Sequence, residues 1–182
     1  LLIDKNGKII SRIWYKNGET YREKGPSQIN KNGDKCWTDI NGEFHRDELD
    51  ENGKTLPAYI WSGGDKEWFR HGKRYCIDGP SYIDTSCGYT SFMIDNKFHR
   101  LNGPARCCIN TKPIYKFDKH DIPRGIFENF INGDEEYYFQ GKLHRIDGPA
   151  IYYPNEGLYG YSAYYLYGKL HNINGPAIYH KK

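Results

Sequence analysis

Tyr137-Tyr138-Phe139-Gln140-Gly141-Lys142-Leu143-His144-Arg145-Ile146-Asp147-Gly148-Pro149-Ala150-Ile151-Tyr152 is followed by Tyr164-Tyr165-Leu166-Tyr167-Gly168-Lys169-Leu170-His171-Asn172-Ile173-Asn174-Gly175-Pro176-Ala177-Ile178-Tyr179. The two stretches share an aromatic run, a turn glycine, Lys-Leu-His, and an Asp/Asn-Gly-Pro-Ala that leads into Ile-Tyr. Self-similarity at a fixed period decides the fold before local propensity is weighed. Working outward, Gly25-Pro26, Gly79-Pro80 and Gly103-Pro104 repeat the pair, and in all five copies a turn residue stands eight positions before the proline: Gly18, Gly72, Asn96, Gly141 and Gly168. Asn41-Gly42-Glu43-Phe44-His45-Arg46 opens another copy. Its proline, Pro57, comes fifteen residues after the glycine, which places an insertion at Asp47 to Thr55.

From Pro57 onward the repeat prolines are 23, 24 and 27 residues apart except between Pro104 and Pro149, where the gap of 45 fits two periods. Tyr115 to Asn132 is therefore expected to be a degenerate unit. The whole chain reads as one array, 1–182, of six to seven units of roughly 23 residues, with boundaries near 1–36, 37–67, 68–90, 91–114, 115–135 (degenerate), 136–160 and 161–182.

Each unit has the chemistry of a β-hairpin. Ten of the 20 glycines follow Asn or Asp; such pairs between β-formers signal tight two-residue turns, because both positions tolerate positive φ. Trp14-Tyr15, Trp68-Phe69, Tyr137-Tyr138-Phe139 and Tyr164-Tyr165-Leu166 suit a pleated surface, and no segment sustains a helical apolar period. Strands of four to six residues are expected. The proline, lacking a donor, belongs at a strand start or a sheet edge. A lone hairpin cannot bury its own face, so each unit has to stack on the next. The fold class is all-β: a tandem array of antiparallel hairpins.

Composition narrows the function classes. Hydrophobic residues are 37% of 182 and mean hydropathy is −0.87, yet aromatics reach 16%, so rings must supply much of the buried surface. A net charge of +3 is too small to call for nucleic acid or a membrane. No apolar run spans a bilayer and the first residues do not form a signal peptide. Cys36, Cys76, Cys87, Cys107 and Cys108 form an odd set without C-x-x-C spacing, which reads as reduced thiols in an intracellular protein.

An aromatic ahead of the turn glycine and a histidine three positions after it (Phe139, Gly141, His144; Leu166, Gly168, His171 with Tyr165 adjacent) resemble the MORN repeat, and the 23-residue spacing agrees. A MORN unit carries glycines one and three positions after its histidine; here the glycine comes four after and is followed by proline. This variant is similar to MORN-like proteins of large DNA viruses and bacteriophages. The resemblance implies an elongated hairpin array used in scaffolding, self-association or lipid contact, and a place in a host cytoplasm or a virion.

Four histidines, His45, His99, His144 and His171, share one repeat position, with Tyr21 and Tyr75 in other copies. Stacked beside Arg22, Arg46, Arg100 and Arg145 they form a candidate binding face for phosphate, carboxylate or metal. The structural alternative, favoured because tyrosine replaces histidine twice, is that each histidine bonds a backbone group near its own Gly-Pro turn. For the arginines the alternative is pairing with Glu23, Asp47 or Asp147. Irregular segments are candidate loop contacts, notably His120, Asp121 and Arg124. Ile178 and Tyr179, in the last strand, are a candidate self-association edge.

No Gly-x-Ser-x-Gly, phosphate-binding loop, His-Glu-x-x-His or zinc-spaced cysteine set occurs, and the polar residues recur once per unit, whereas catalysis needs one unlike constellation. We expect no enzyme, no catalytic or metal residue and no cofactor, but a scaffold that binds a protein partner or itself, as a homo-oligomer. The alternatives are a sponge-like small-ligand or nucleotide binder using the His/Arg/Tyr face, and a nucleic-acid or anionic-membrane contact.

Overall fold

The structure, a computed structural model, describes residues 2–3, 6–7, 9–108, 133–154 and 160–181. Among these there is no helix; the fold is antiparallel β throughout. Two compact units emerge. One comprises Leu1–Thr85 with Phe92–Lys97, the other Ser86–Ser91 with Phe98–Lys182.

In the first, sheet strands follow one another in chain order: Leu2–Ile3, Ile9–Ile13, Gln28–Asn30, Lys35–Cys36, Tyr59–Ile60, Lys66–Glu67 and Tyr82–Asp84. In the second, the order is Tyr89–Ser91, Arg106–Cys108, Glu135–Glu136, Ile151–Tyr153, Gly160–Ala163 and Ile178–Lys181. Each repeat copy thus gives a leading and a trailing strand, over residues 9–30, 35–60, 66–84, 89–108, 135–153 and 160–181. Trailing strands start two residues after the proline, at Gln28, Tyr59, Tyr82, Arg106, Ile151 and Ile178.

Between its two strands a copy throws out a hairpin arm. Tyr15–Lys16 pairs with Glu19–Thr20, Phe69–Arg70 with Lys73–Arg74, Tyr138–Phe139 with Lys142–Leu143, and Tyr165–Leu166 with Lys169–Leu170. The arms close through two-residue turns in which both residues have positive φ: Asn17-Gly18, His71-Gly72, Gln140-Gly141 and Tyr167-Gly168. This is the turn that matches strand twist.

Two sequence expectations change here. Strands are two to five residues long rather than four to six, because the residue between leading strand and arm leaves the ladder to bond its own loop. Of the Asn-Gly pairs whose residues are both described, only Asn17-Gly18 forms the two-residue turn. In Asn32-Gly33, Asn41-Gly42 and Asn52-Gly53 the glycine alone has positive φ, and it donates back to Asn30, Asp39 and Asp50. Arg106 and Cys107 lie directly opposite Glu136 and Glu135. The degenerate unit expected at 115–135 falls almost wholly on 109–132, outside the described residues. The Asp47 to Thr55 insertion is a small hairpin with a Leu49–Thr55 bridge.

Candidate functional site

Each copy is organised around the residue after its proline. In five copies that residue is Ser27, Ala58, Ser81, Ala105 or Ala150, at most 1% exposed. Its carbonyl accepts from the aromatic that follows the leading strand (Trp14, Trp37, Trp68, Tyr137 and, in the sixth, Tyr164), while the N–H of Ser27 and of Ala105 donates across to Cys36 and Glu136 of the following copy. With backbone engaged on both sides, only a small side chain fits. The carbonyl of the same aromatic accepts the N–H at the His/Tyr position: Tyr21, His45, Tyr75, His144 and His171.

The recurrent arginine braces this loop. Arg22, Arg46 and Arg145 lie 4.1, 3.9 and 3.9 Å over the rings of Trp14, Trp37 and Tyr137. Arg46, Arg100 and Arg145 donate to the carbonyls of Pro57, Pro104 and Pro149 at 3.2, 3.0 and 3.3 Å, and Arg46 and Arg145 also pair with Glu48 and Asp147. A Cβ on Gly103 or Gly148 would stand 3.1 or 3.0 Å from the guanidinium carbon of Arg100 or Arg145, so the glycine of Gly-Pro gives room to the arginine. In the sixth copy Asn172 replaces the arginine and reaches Pro176 at 2.8 Å.

The histidines act across copies rather than within them. Nδ1 of His45, His99 and His144 accepts the backbone N–H of His71, Gln140 and Tyr167, each at 3.2 Å. The donor is always the first turn residue of the next arm, whereas the sequence suggested the histidine's own loop. The second turn residue completes the joint: Gly72, Gly141 and Gly168 donate to the carbonyls of Phe44, Phe98 and Leu143. Rings meet over two joints, His45 stacked on His71 at 4.0 Å and His144 tilted against Tyr167 at 4.2 Å. Where Tyr75 replaces the histidine, the turn carries Asn96 in place of glycine, and its side-chain carbonyl accepts the N–H of Arg74 at 2.7 Å. His171 is exposed and donates its N–H to Tyr164.

His71 donates through Nδ1 to Asp39 at 2.7 Å. Burial alone would raise the Asp39 carboxyl, but His71 and the N–H groups of Asn41 and Glu43 offset it and hold the group below the usual range. A second buried cluster sits on the fourth and fifth copies: Arg106 Nη1 meets Glu136 Oε2 at 2.5 Å, Arg106 Nε donates to the Tyr89 hydroxyl, and the hydroxyls of Tyr138 and Tyr153 donate to Glu136. Burial and the Glu136 carboxylate push Tyr138 up to about 12. Arg106 and Glu136 are both 5% exposed, which makes this cluster an internal brace. Among the described residues no three His, Cys, Asp or Glu side chains converge on a point.

One repeat position stands outside this bonding. Ile77, Leu101, Ile146 and Ile173, each two residues after the His/Tyr position, are 73, 74, 86 and 82% exposed. Sequence reading passed over them because an isolated aliphatic in a loop says nothing; their recurrence at one register was the available signal. Leu101 and Ile146 flank an open groove of about 710 Å³ lined also by Tyr137, Phe139, Arg145 and Tyr167. The groove brings together Arg100, His144 and Arg145 of the candidate binding face. Arg22, His45 and Arg46 lie in the first unit, and His120, Asp121 and Arg124 fall outside the described residues. Ile178 and Tyr179 are 40 and 41% exposed on a strand paired with Gly160–Ala163.

No protein-family model, curated protein or solved structure matches this chain. No helix among the described residues is long and apolar enough to cross a membrane.

Proposed function

We propose that this protein is a non-enzymatic, MORN-like repeat scaffold that binds a protein partner or another copy of itself through the loops that follow its hairpin arms. The observation that carries the reading is the set Leu101, Ile146 and Ile173 of the second unit, each at least 74% exposed. A single exposed aliphatic is ordinary, but three at one repeat position of the same unit are a recurrent apolar feature that its hydrogen bonding does not use. The set is flanked by tyrosine and arginine, the residue types that anchor interfaces. The five free cysteines support a reducing compartment, a host cytoplasm or a virion.

The test is Leu101→Asp/Ile146→Asp/Ile173→Asp. The variant should keep the wild-type circular dichroism and melting temperature while losing self-association in sedimentation or capture of a partner from extracts of its source. Unchanged association would overturn the reading. The groove of about 710 Å³ favours a second reading, a small-ligand binder, and native mass spectrometry of gently purified protein separates the two: a retained mass of a few hundred daltons, lost in Ile146→Asp, supports the ligand.

A further inference from the structure

We infer that one face of the sheet in the first unit is a docking surface for an acidic amphipathic helix of a partner protein, gripped by Arg12, Lys35 and Lys66 with Ile29, Ile60 and Ile83 between them. The register writes this row directly. Arg12 stands opposite Ile29, Ile29 opposite Lys35, Lys35 opposite Ile60, Ile60 opposite Lys66, and Lys66 opposite Ile83. Residues directly opposite each other in an antiparallel ladder share a face, so cation and isoleucine alternate from Ile9–Ile13 to Tyr82–Asp84. The three cations are exposed and the three isoleucines half-buried. The other face is occupied: Cys36, Tyr59 and Glu67 form its row, Cys36 and Glu67 are buried, and the Phe44 ring of the second copy meets Tyr59 at 5.7 Å.

Sheet formation does not require this chemistry. Each cation stands two residues before the aromatic that follows its leading strand (Trp14, Trp37, Trp68), and the fourth, fifth and sixth copies carry Thr90, Glu135 and Ser162 at the same position. Opposite those stand Cys107, Tyr152 and Tyr179 in place of isoleucine. The second unit thus builds the same ladder with no cation in its row. Strand propensity accounts for isoleucine but disfavours lysine, and a solvated face needs only polar residues of either sign.

Charge and spacing choose the occupant. Neighbouring strands lie about 4.8 Å apart, so the cations recur roughly every 10 Å, close to the distance of about 10.5 Å between residues seven apart on a helix. A helix laid across the strands, with a carboxylate at every seventh position and an aliphatic midway, meets each cation with an acid and each isoleucine with an apolar side chain. The flexible lysine and arginine stems follow the twist of the sheet. The isoleucines lie between longer cationic side chains, so covering them takes side chains that reach down between the charges, which neither a nucleic-acid backbone nor a plane of lipid headgroups supplies. Because this face belongs to the first unit and Leu101, Ile146 and Ile173 to the second, it holds whether or not those loops bind a partner.

Fluorescence anisotropy of a labelled helical peptide, with glutamate at every seventh position and leucine midway, tests this on the full chain. The wild type should bind it, less tightly as salt rises. Lys35→Glu/Lys66→Glu should weaken binding by about tenfold or more, since like charges then oppose, and should gain the same peptide with lysine in place of glutamate; that exchange also shows the variant to be folded. Ile60→Ser, or serine for leucine in the peptide, should weaken binding as well. No binding by the wild type, equal binding by the charge-reversed variant, or indifference to the leucines would overturn the proposal, as would tighter binding to phosphatidylserine vesicles or to oligothymidylate. Should the reversed variant fold poorly, Lys35→Gln/Lys66→Gln in the same titration decides: weakened binding with wild-type circular dichroism supports the face, and unchanged binding refutes it.

Discussion

At the scale of single residues, the position after proline is among the most deeply buried of the described residues. Ala150 is fully buried and its carbonyl is bound by Tyr137, so Ala150→Leu should cost about 1–3 kcal/mol through overpacking, read as a lower urea midpoint. Gly168 has φ +82° with its N–H on the Leu143 carbonyl; Gly168→Ala should cost about 1–2 kcal/mol by forcing a side chain into the left-handed region. Tyr138 gives an alkaline signature. Its hydroxyl is raised from 10 to about 12 by burial and by Glu136, so the folded state holds a proton that the unfolded chain gives up. Stability is then complete below pH 10 and falls between about 10 and 12, and tyrosinate absorbance should show this hydroxyl titrating late.

At the scale of the element, a copy is a loop braced by an arginine and joined to the next by a histidine. Arg145→Lys keeps the charge but loses the planar stack on Tyr137 and the forked bonding to Asp147 and Pro149. It should destabilise the second unit by about 1 kcal/mol or more, measured by chemical denaturation. Arg106→Met leaves Glu136 as an uncompensated buried carboxylate and should cost about 3–5 kcal/mol, whereas Arg106→Met/Glu136→Leu should recover most of the loss. Sequence spacing exposed the turn glycine, the histidine, the arginine and the Gly-Pro pair as one unit, because each acts within about fourteen residues of the others. The histidine's partner was hidden: it lies 23 to 41 residues away in the next arm, and nothing local marks Gln140 or Tyr167 as a donor.

At the scale of the whole molecule, stability in a stacked array is a sum of copies and joints, so the substitutions above should act nearly independently where they fall in different joints. Ile178→Lys/Tyr179→Lys places two cations on the strand Ile178–Lys181, whose neighbour is Gly160–Ala163. If this strand mediates self-association, native mass spectrometry should show the variant as a monomer where the wild type associates; an unchanged oligomer would sink the edge as an interface. The all-β class, the hairpin repeat and the small residue after proline were all determined by the sequence, since they rest on turn stereochemistry and on a period that any copy displays. Only the tertiary structure decided that the arginines brace loops, that the histidines bond the turn of the next arm, and that Ile77, Leu101, Ile146 and Ile173 are exposed. These depend on which copy packs beside which, and that is fixed by contacts distant in the chain.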